Sequence, residues 1–77
     1  MADDEIRRRL IMMPPSAAAL GDRRADCKVV LRNEIEEERR AEFDSWVVAH
    51  RGRLCPDEPS GRVLYEIPLV ELMAGAP

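Results

Sequence analysis

The 77-residue sequence has little of what enzymes and metalloproteins usually need, with one histidine, two cysteines and three aromatic residues in all. Cys27 and Cys55 form no Cys-x-x-Cys pair, and with a single histidine they cannot supply the four ligands of a structural zinc site. His50 would need an orienting acid and a nucleophile beside it to act as a general base, and no such pattern surrounds it. We therefore predict a protein that is not an enzyme and that binds no metal or cofactor.

Long apolar runs are also missing, and none approaches the ~20 residues of a membrane span. The acidic start Asp3-Asp4-Glu5 has the wrong charge for a signal peptide, so we expect a cytoplasmic protein with reduced thiols. A net charge of −3 provides no basic footprint for duplex DNA. The 45% hydrophobic content indicates one folded domain over residues 1–77, with residues 1–4 and 75–77 expected to fray.

The clearest pattern in the chain is a strand followed by a helix. Residues 27–32 alternate as a strand does, and Asn33 then suits a helix N-cap, with Glu36 three residues later as in a capping box. Gly52 suits the C-cap, so the predicted helix covers about 34–51. Its apolar stripe consists of Ile35, Phe43, Trp46, Val47, Ala49 and His50. Large aromatics dominate small cores, so Phe43 and Trp46 are predicted at the centre of the fold.

Residues 5–13 fit two periodicities. Ile6, Leu10 and Met13 match helical spacing, whereas the alternation from Ile6 to Met12 matches a strand. We favour a strand, because it would give residues 28–32 a pairing partner. Pro14-Pro15 ends the element in either case. Beyond it, Ser16 is predicted to cap a short helical turn over residues 17–20, closed by Gly21.

The C-terminal third reads as a β-hairpin and a helical turn. Residues 53–55 and 62–67 are predicted strands around a Pro- and Gly-containing loop at 56–61, and Pro68 ends the ladder. Residues 69–73 then repeat apolar side chains at i, i+3 and i+4. The predicted fold is α+β, with a small, mainly antiparallel sheet of three to four strands packed on the one long helix.

Three segments are candidate partner-binding surfaces. The first is the charged face of the long helix, composed of Glu34, Glu37, Glu38, Arg39 and Glu42. The alternative for this face is that it is simply solvated, with the Arg39 stem lying on the core. The second is a set of arginines suited to phosphate or to an acidic protein surface: Arg7, Arg8, Arg9, Arg23 and Arg24. The third is residues 68–73, for which we favour instead a role in closing the core.

Size, missing site chemistry and segregated charge together predict a small protein–protein interaction module that occupies a surface on a larger partner, as an inhibitor or adaptor. Arginine outnumbers lysine eleven to one, which suggests a GC-rich genome. Compact, motif-free proteins of this kind are often encoded by phages or mobile elements to block a host system, anti-CRISPR proteins among them. Two alternatives stay open. One is a nucleic-acid accessory protein that uses the arginines, and the other is a structural homodimer that seals Val48 or a sheet edge.

Overall fold

The computed structural model describes residues 2–16, 26–58 and 60–74. Within these residues it contains three helices and three strands. The helices are α1 (Ala2–Met12), α2 (Arg40–Ala49) and α3 (Leu69–Met73), and the strands are β1 (Cys27–Leu31), β2 (Arg53–Asp57) and β3 (Arg62–Pro68). The sheet order is β1-β3-β2, and both pairings are antiparallel. The prediction of a small α+β domain with an antiparallel sheet is therefore confirmed.

Strands β2 and β3 form the predicted hairpin, and β3 lies in the middle of the sheet. Tyr65 of β3 is opposite Leu54 on one side and Val30 on the other. The hairpin loop is closed by the Ser60 hydroxyl, which donates to the Asp57 carbonyl over 2.8 Å. Gly61 takes a φ of +78°, a conformation that glycine adopts at no steric cost.

One face of the sheet packs against the helices and forms the core. Val30, Tyr65 and Ile67 supply the sheet's side of this core and are fully buried. The prediction for the aromatic pair is confirmed, since Phe43 is 0% and Trp46 is 6% exposed. The helices and the segments beside them contribute the other large members: Ile6, Leu10, Met13, Ile35, Phe43, Trp46, Val47 and Leu72.

The predicted strand at residues 5–13 is wrong, because this segment belongs to helix α1. Helical spacing buries Ile6, Leu10 and Met13 together on the core, whereas Met12, which a strand would turn inward, is 76% exposed. The partner of β1 is β3, so no fourth strand is needed there. The first helical turn includes residues 2–4, which the sequence analysis expected to fray.

The single long helix predicted over 34–51 is also wrong. Helix α2 has 10 residues, and two separate 3₁₀ turns, Arg32–Glu34 and Glu37–Arg39, precede it. Between these turns Ile35 is extended, with φ −88° and ψ 142°, and its side chain is buried. Asn33 is not an N-cap, because its side-chain oxygen accepts the backbone N–H of Val63 at 3.0 Å. The burial of Ile35 and this long-range hydrogen bond interrupt the helix.

The end of α2 also differs in detail from the prediction. Arg51, not Gly52, has the left-handed conformation, with φ 67°. The N–H of Gly52 donates to the carbonyl of Val47 at 2.8 Å and that of Arg51 to Val48 at 3.3 Å, which is a Schellman motif. Gly52 is required for space instead, since a Cβ there would lie 2.6 Å from Val47 Cγ1 and 3.0 Å from the Glu66 carbonyl oxygen.

Candidate protein-binding groove

The flank of α1 that faces α2 is closed by charge pairs. Arg9 and Glu36 approach to 2.8 Å, and Arg39 lies 3.1 Å from both Glu5 and Glu42. The guanidinium of Arg9 holds the pKa of Glu36 below its ordinary value. We call these five residues the charged seam. Its acids and bases satisfy one another, so the seam joins α1 to the turn before α2 and leaves little charge for a partner.

The N-terminal turn of α1 is fixed on Trp46. The indole Nε1 donates to the Asp3 carboxylate at 2.7 Å, and the Arg7 guanidinium lies 5.3 Å from the centre of the ring. The bond from Trp46 is the main reason why the pKa of Asp3 is lowered, and Arg7 adds to it. Asp3 therefore has a structural role in anchoring the helix.

His50 has structural contacts of the same kind. Its ring stacks on Trp46 with centroids 3.8 Å apart, and Nδ1 lies 2.7 Å from the Trp46 carbonyl oxygen, which can only accept a hydrogen bond. Its Nε2 is 3.6 Å from Asp3. These contacts orient the imidazole toward the helix and the acidic first turn of α1.

Asp44 links α2 to the sheet. Arg32 binds it through two hydrogen bonds of 2.7 and 2.8 Å, and the Tyr65 hydroxyl also donates to it. The Arg32 bond, with help from Tyr65, lowers the pKa of Asp44, while burial and the neighbouring carboxylate raise the pKa of Tyr65. Each polar group in this half-buried cluster has a partner, so the cluster holds the fold together.

The residues predicted to bind a partner therefore lie in several different environments. Glu34, Glu37 and Glu38 are exposed and have no ion pair within the described residues. Arg39 and Glu42 belong to the charged seam, as does Arg9. Arg7 contacts Asp3 and Asp4, while Arg8 is exposed and has no ion pair within the described parts of the chain. Arg23 and Arg24, like the turn predicted at 17–20, lie outside the described residues.

The other flank of α1 borders an apolar groove of about 370 Å³ between the C-terminal end of α1 and α3. The groove is lined by Ile11, Lys28, Leu69, Leu72 and Met73. Leu72 is buried at its base, but Met73 is 70% exposed at its rim. Met12 and Val70, which follow the lining residues Ile11 and Leu69 in the chain, are 76% and 69% exposed. Exposed apolar side chains from two helices, Ile11, Leu69 and Met73, thus line one concave surface.

The chain builds this groove through a sharp change of direction after β3. The ladder ends at Pro68, and the backbone N–H of Leu69 donates to the Asp26 carbonyl at 2.8 Å. Helix α3 starts there and is held against α1 by Arg7, whose Nε donates to the Glu71 carbonyl at 3.2 Å. Both ties involve backbone carbonyls, so they fix α3 while leaving its apolar side chains free.

Lys28 forms the polar wall of the groove. Its ammonium donates to the carbonyls of Leu10 at 3.1 Å and Ile11 at 2.6 Å, the last carbonyls of α1. These bonds complement the negative end of the helix dipole. Burial lowers the pKa of Lys28, because desolvation penalises the charged form.

Sequence reasoning largely missed this groove. It favoured residues 68–73 as a cover for the core, which holds for Leu72 but not for the exposed Leu69 and Met73. The strand prediction for residues 5–13 also hid the proximity of Ile11 to α3. The available signal was the helical spacing of α1, which leaves Ile11 and Met12 off the buried stripe.

Comparison with known proteins gives no family or relative for this chain, since no known protein family, curated protein or solved structure matches it. Among the described residues, no group of three or more His, Cys, Asp or Glu is placed to hold a metal ion, and no helix is long and apolar enough to cross a membrane. Cys27 on β1 and Cys55 on β2 lie on opposite sides of β3 and form no disulfide.

Proposed function

We propose that this protein is a small protein–protein interaction module and that its docking surface is the groove between α1 and α3. The observation that carries the proposal is the cluster of exposed apolar side chains around the groove. The lining residues Ile11, Leu69 and Met73 and their chain neighbours Met12 and Val70 are each between 40% and 76% exposed. Single exposed apolar residues are ordinary, but a contiguous group around a concavity is typical of an interaction site.

The composition of the groove suits protein recognition. Methionine is unbranched and polarisable, so Met12 and Met73 can adapt their shape to an incoming apolar side chain. Lys28 supplies one oriented charge in an otherwise apolar lining. Pockets that bind ligands combine such apolar walls with a few placed polar groups.

The cellular role that size and composition favour is that of a cytoplasmic inhibitor or adaptor that covers a surface of a larger protein. A phage or mobile-element inhibitor, of which anti-CRISPR proteins are an example, belongs to this class. Function through the arginines is less well supported, since Arg7, Arg9 and Arg39 are already bound to acids within the chain.

The test is capture of a partner by the immobilised 77-residue chain from a GC-rich bacterial lysate, with and without nuclease treatment. Three proteins are compared: wild type, Met73→Asp and the matched control Val48→Asp. Val48 is 63% exposed on α2, so the control places the same charge at an apolar surface residue outside the groove. Circular dichroism should show that all three are folded.

We expect a stoichiometric protein partner that wild type and Val48→Asp retain and that Met73→Asp loses. A partner that all three retain would move the interface elsewhere, and Glu37→Lys with Glu38→Lys would then test the exposed acidic turn. Loss of all partners on nuclease treatment would favour nucleic-acid binding instead, which should weaken steeply with salt.

A further inference from the structure

Two cations at or near the groove, Lys28 and Arg8, have no carboxylate partner within the described residues. Most arginines within the described residues, including Arg7, Arg32 and Arg53, already bind a carboxylate. Lys28 binds only backbone carbonyls, and Arg8 has no ion pair within those same residues. Arg40 and Arg62 also have no carboxylate partner within these residues, but neither lines the groove, whereas Lys28 stands in its wall.

Arg8 lies on the outer side of the same helix surface. It precedes Ile11 by three residues and Met12 by four, and side chains at these spacings are neighbours on a helix. All three are exposed. Arg8 is therefore a neighbour of Ile11 and Met12 on α1, while Lys28 lines the groove itself.

The Lys28 ammonium has one hydrogen-bond donor left for a further partner. An ammonium has three donors, and two are used by the carbonyls of Leu10 and Ile11. Its lowered pKa reflects burial without a neighbouring carboxylate, and an incoming carboxylate would offset that cost. Asp26 is the acidic residue just before β1, and its carboxylate accepts from the Cys27 thiol at 3.7 Å, while Lys28 donates to the carbonyls of Leu10 and Ile11.

Resting on the proposed function, we infer that the groove binds a peptide segment of another protein that carries a large apolar side chain next to an Asp or Glu. The apolar side chain enters the groove between Ile11 and Met73. The carboxylate lies between Lys28 and Arg8, where charge-assisted hydrogen bonds form.

A second copy of this chain fits the groove less well. A two-fold symmetric interface brings the same surface patch of each subunit together. The patch would then have to supply the partners of its own cations, and the residues that line the groove include no carboxylate. Charge complementarity therefore favours an acidic partner over self-association.

A random-peptide phage library panned on the 77-residue protein tests this inference. Clones are kept if they bind wild type and Val48→Asp but not Met73→Asp, so the retained peptides depend on the groove. We expect these clones to be enriched in Asp or Glu beside Leu, Ile, Met or aromatic residues. A synthetic peptide from the set should bind about tenfold more weakly to Arg8→Glu than to wild type, and the loss should diminish at high salt.

Lys28→Met is the second variant, which keeps the apolar stem but removes the charge. Since Lys28 also caps α1, thermal unfolding of this variant is measured in parallel, and Arg8→Glu stands alone if Lys28→Met does not fold. The peptide in which Asp or Glu is replaced by Asn or Gln should lose the same affinity as Arg8→Glu. Combining the two changes should cost little more than either alone.

The contrary outcomes are distinct. Groove-dependent clones without acidic enrichment, with equal binding to wild type and Arg8→Glu, would overturn the acidic partner while leaving the groove as docking surface. Panning that gives no clone sensitive to Met73→Asp would overturn both. A concentration-dependent dimer in light scattering that Met73→Asp abolishes would assign the groove to a second copy.

Discussion

The flank of α1 that faces α2 is closed, whereas the flank that faces α3 is open. On the closed side, Arg9 and Arg39 bind Glu36 and Glu5, and their guanidinium groups lie 5.9 and 5.2 Å from the Phe43 ring centre. On the open side, Ile11 faces a groove whose rim is exposed. The comparison shows that abundant charge is a poor guide to an interface when opposite charges lie close enough to pair. The apolar side without such pairs is the better candidate.

The largest effect is expected from removing the aromatic centre of the closed side. Trp46→Ala removes a buried ring that also donates to Asp3, and such truncations cost ~3–5 kcal/mol. The free energy of unfolding of a domain is ~5–15 kcal/mol in total, so mild heat or low urea should be enough to unfold most of the variant. Urea denaturation followed by circular dichroism measures this.

Val48→Ala, two residues away but exposed, is the control and should change the free energy of unfolding by no more than ~0.5 kcal/mol. A stable Trp46→Ala protein would mean that the closed side does not depend on this ring.

A smaller effect is expected from the Asp44 cluster, and it depends on pH. Arg32 and Tyr65 hold the folded-state pKa of Asp44 below the ordinary 3.8, so the unfolded chain takes up a proton more readily. The stabilisation is therefore present above about pH 4 and is lost as the pH falls through the folded pKa. Asp44→Asn should cost ~1.5–3 kcal/mol at neutral pH and flatten the acid limb of the stability curve.

Urea titrations from neutral to acid pH check this prediction. Asp4→Asn is the control, because Asp4 is exposed and its ion pair with Arg7 is long, at 3.6 Å. If Asp44→Asn and wild type lose stability in parallel below pH ~4, the cluster does not carry the acid response.

The smallest effect is expected from the charged seam. Arg39→Gln removes two exposed ion pairs, so the unfolding temperature should drop slightly at low salt and the difference should shrink at high salt. Partner binding should be unchanged. Arg62→Gln is the control, because Arg62 has no ion pair within the described residues. A variant that unfolds like wild type but loses the partner would place the interface on the seam.

The elements with local signals could be predicted from the sequence. Strand β1 and the hairpin follow from alternation around turn residues such as Gly61, and α3 from the apolar spacing after Pro68. Helix α1 was assigned wrongly because Ile6 and Leu10 satisfy both periodicities. We favoured a strand at residues 5–13 because β1 needed a pairing partner. The structure shows that this partner is β3, more than thirty residues away from β1 in the chain.

The groove and the start of α2 depend on contacts that no local pattern contains. Asn33 resembles an N-cap, but its side chain binds Val63 in β3. The groove combines Ile11, Lys28 and Met73, which come from three separate elements. Their meeting is decided by the way in which α3 turns back against α1, and this is a tertiary property.

The most direct test of the central claim is methyl NMR of the methionines during titration with the captured partner or a selected peptide. Met73 lines the groove and the exposed Met12 follows the lining residue Ile11 in the chain, while the buried Met13 is an internal control. The account predicts large saturable shifts for Met12 and Met73 and small ones for Met13. Saturable binding that leaves Met12 and Met73 unperturbed would contradict it and place the interface on another surface.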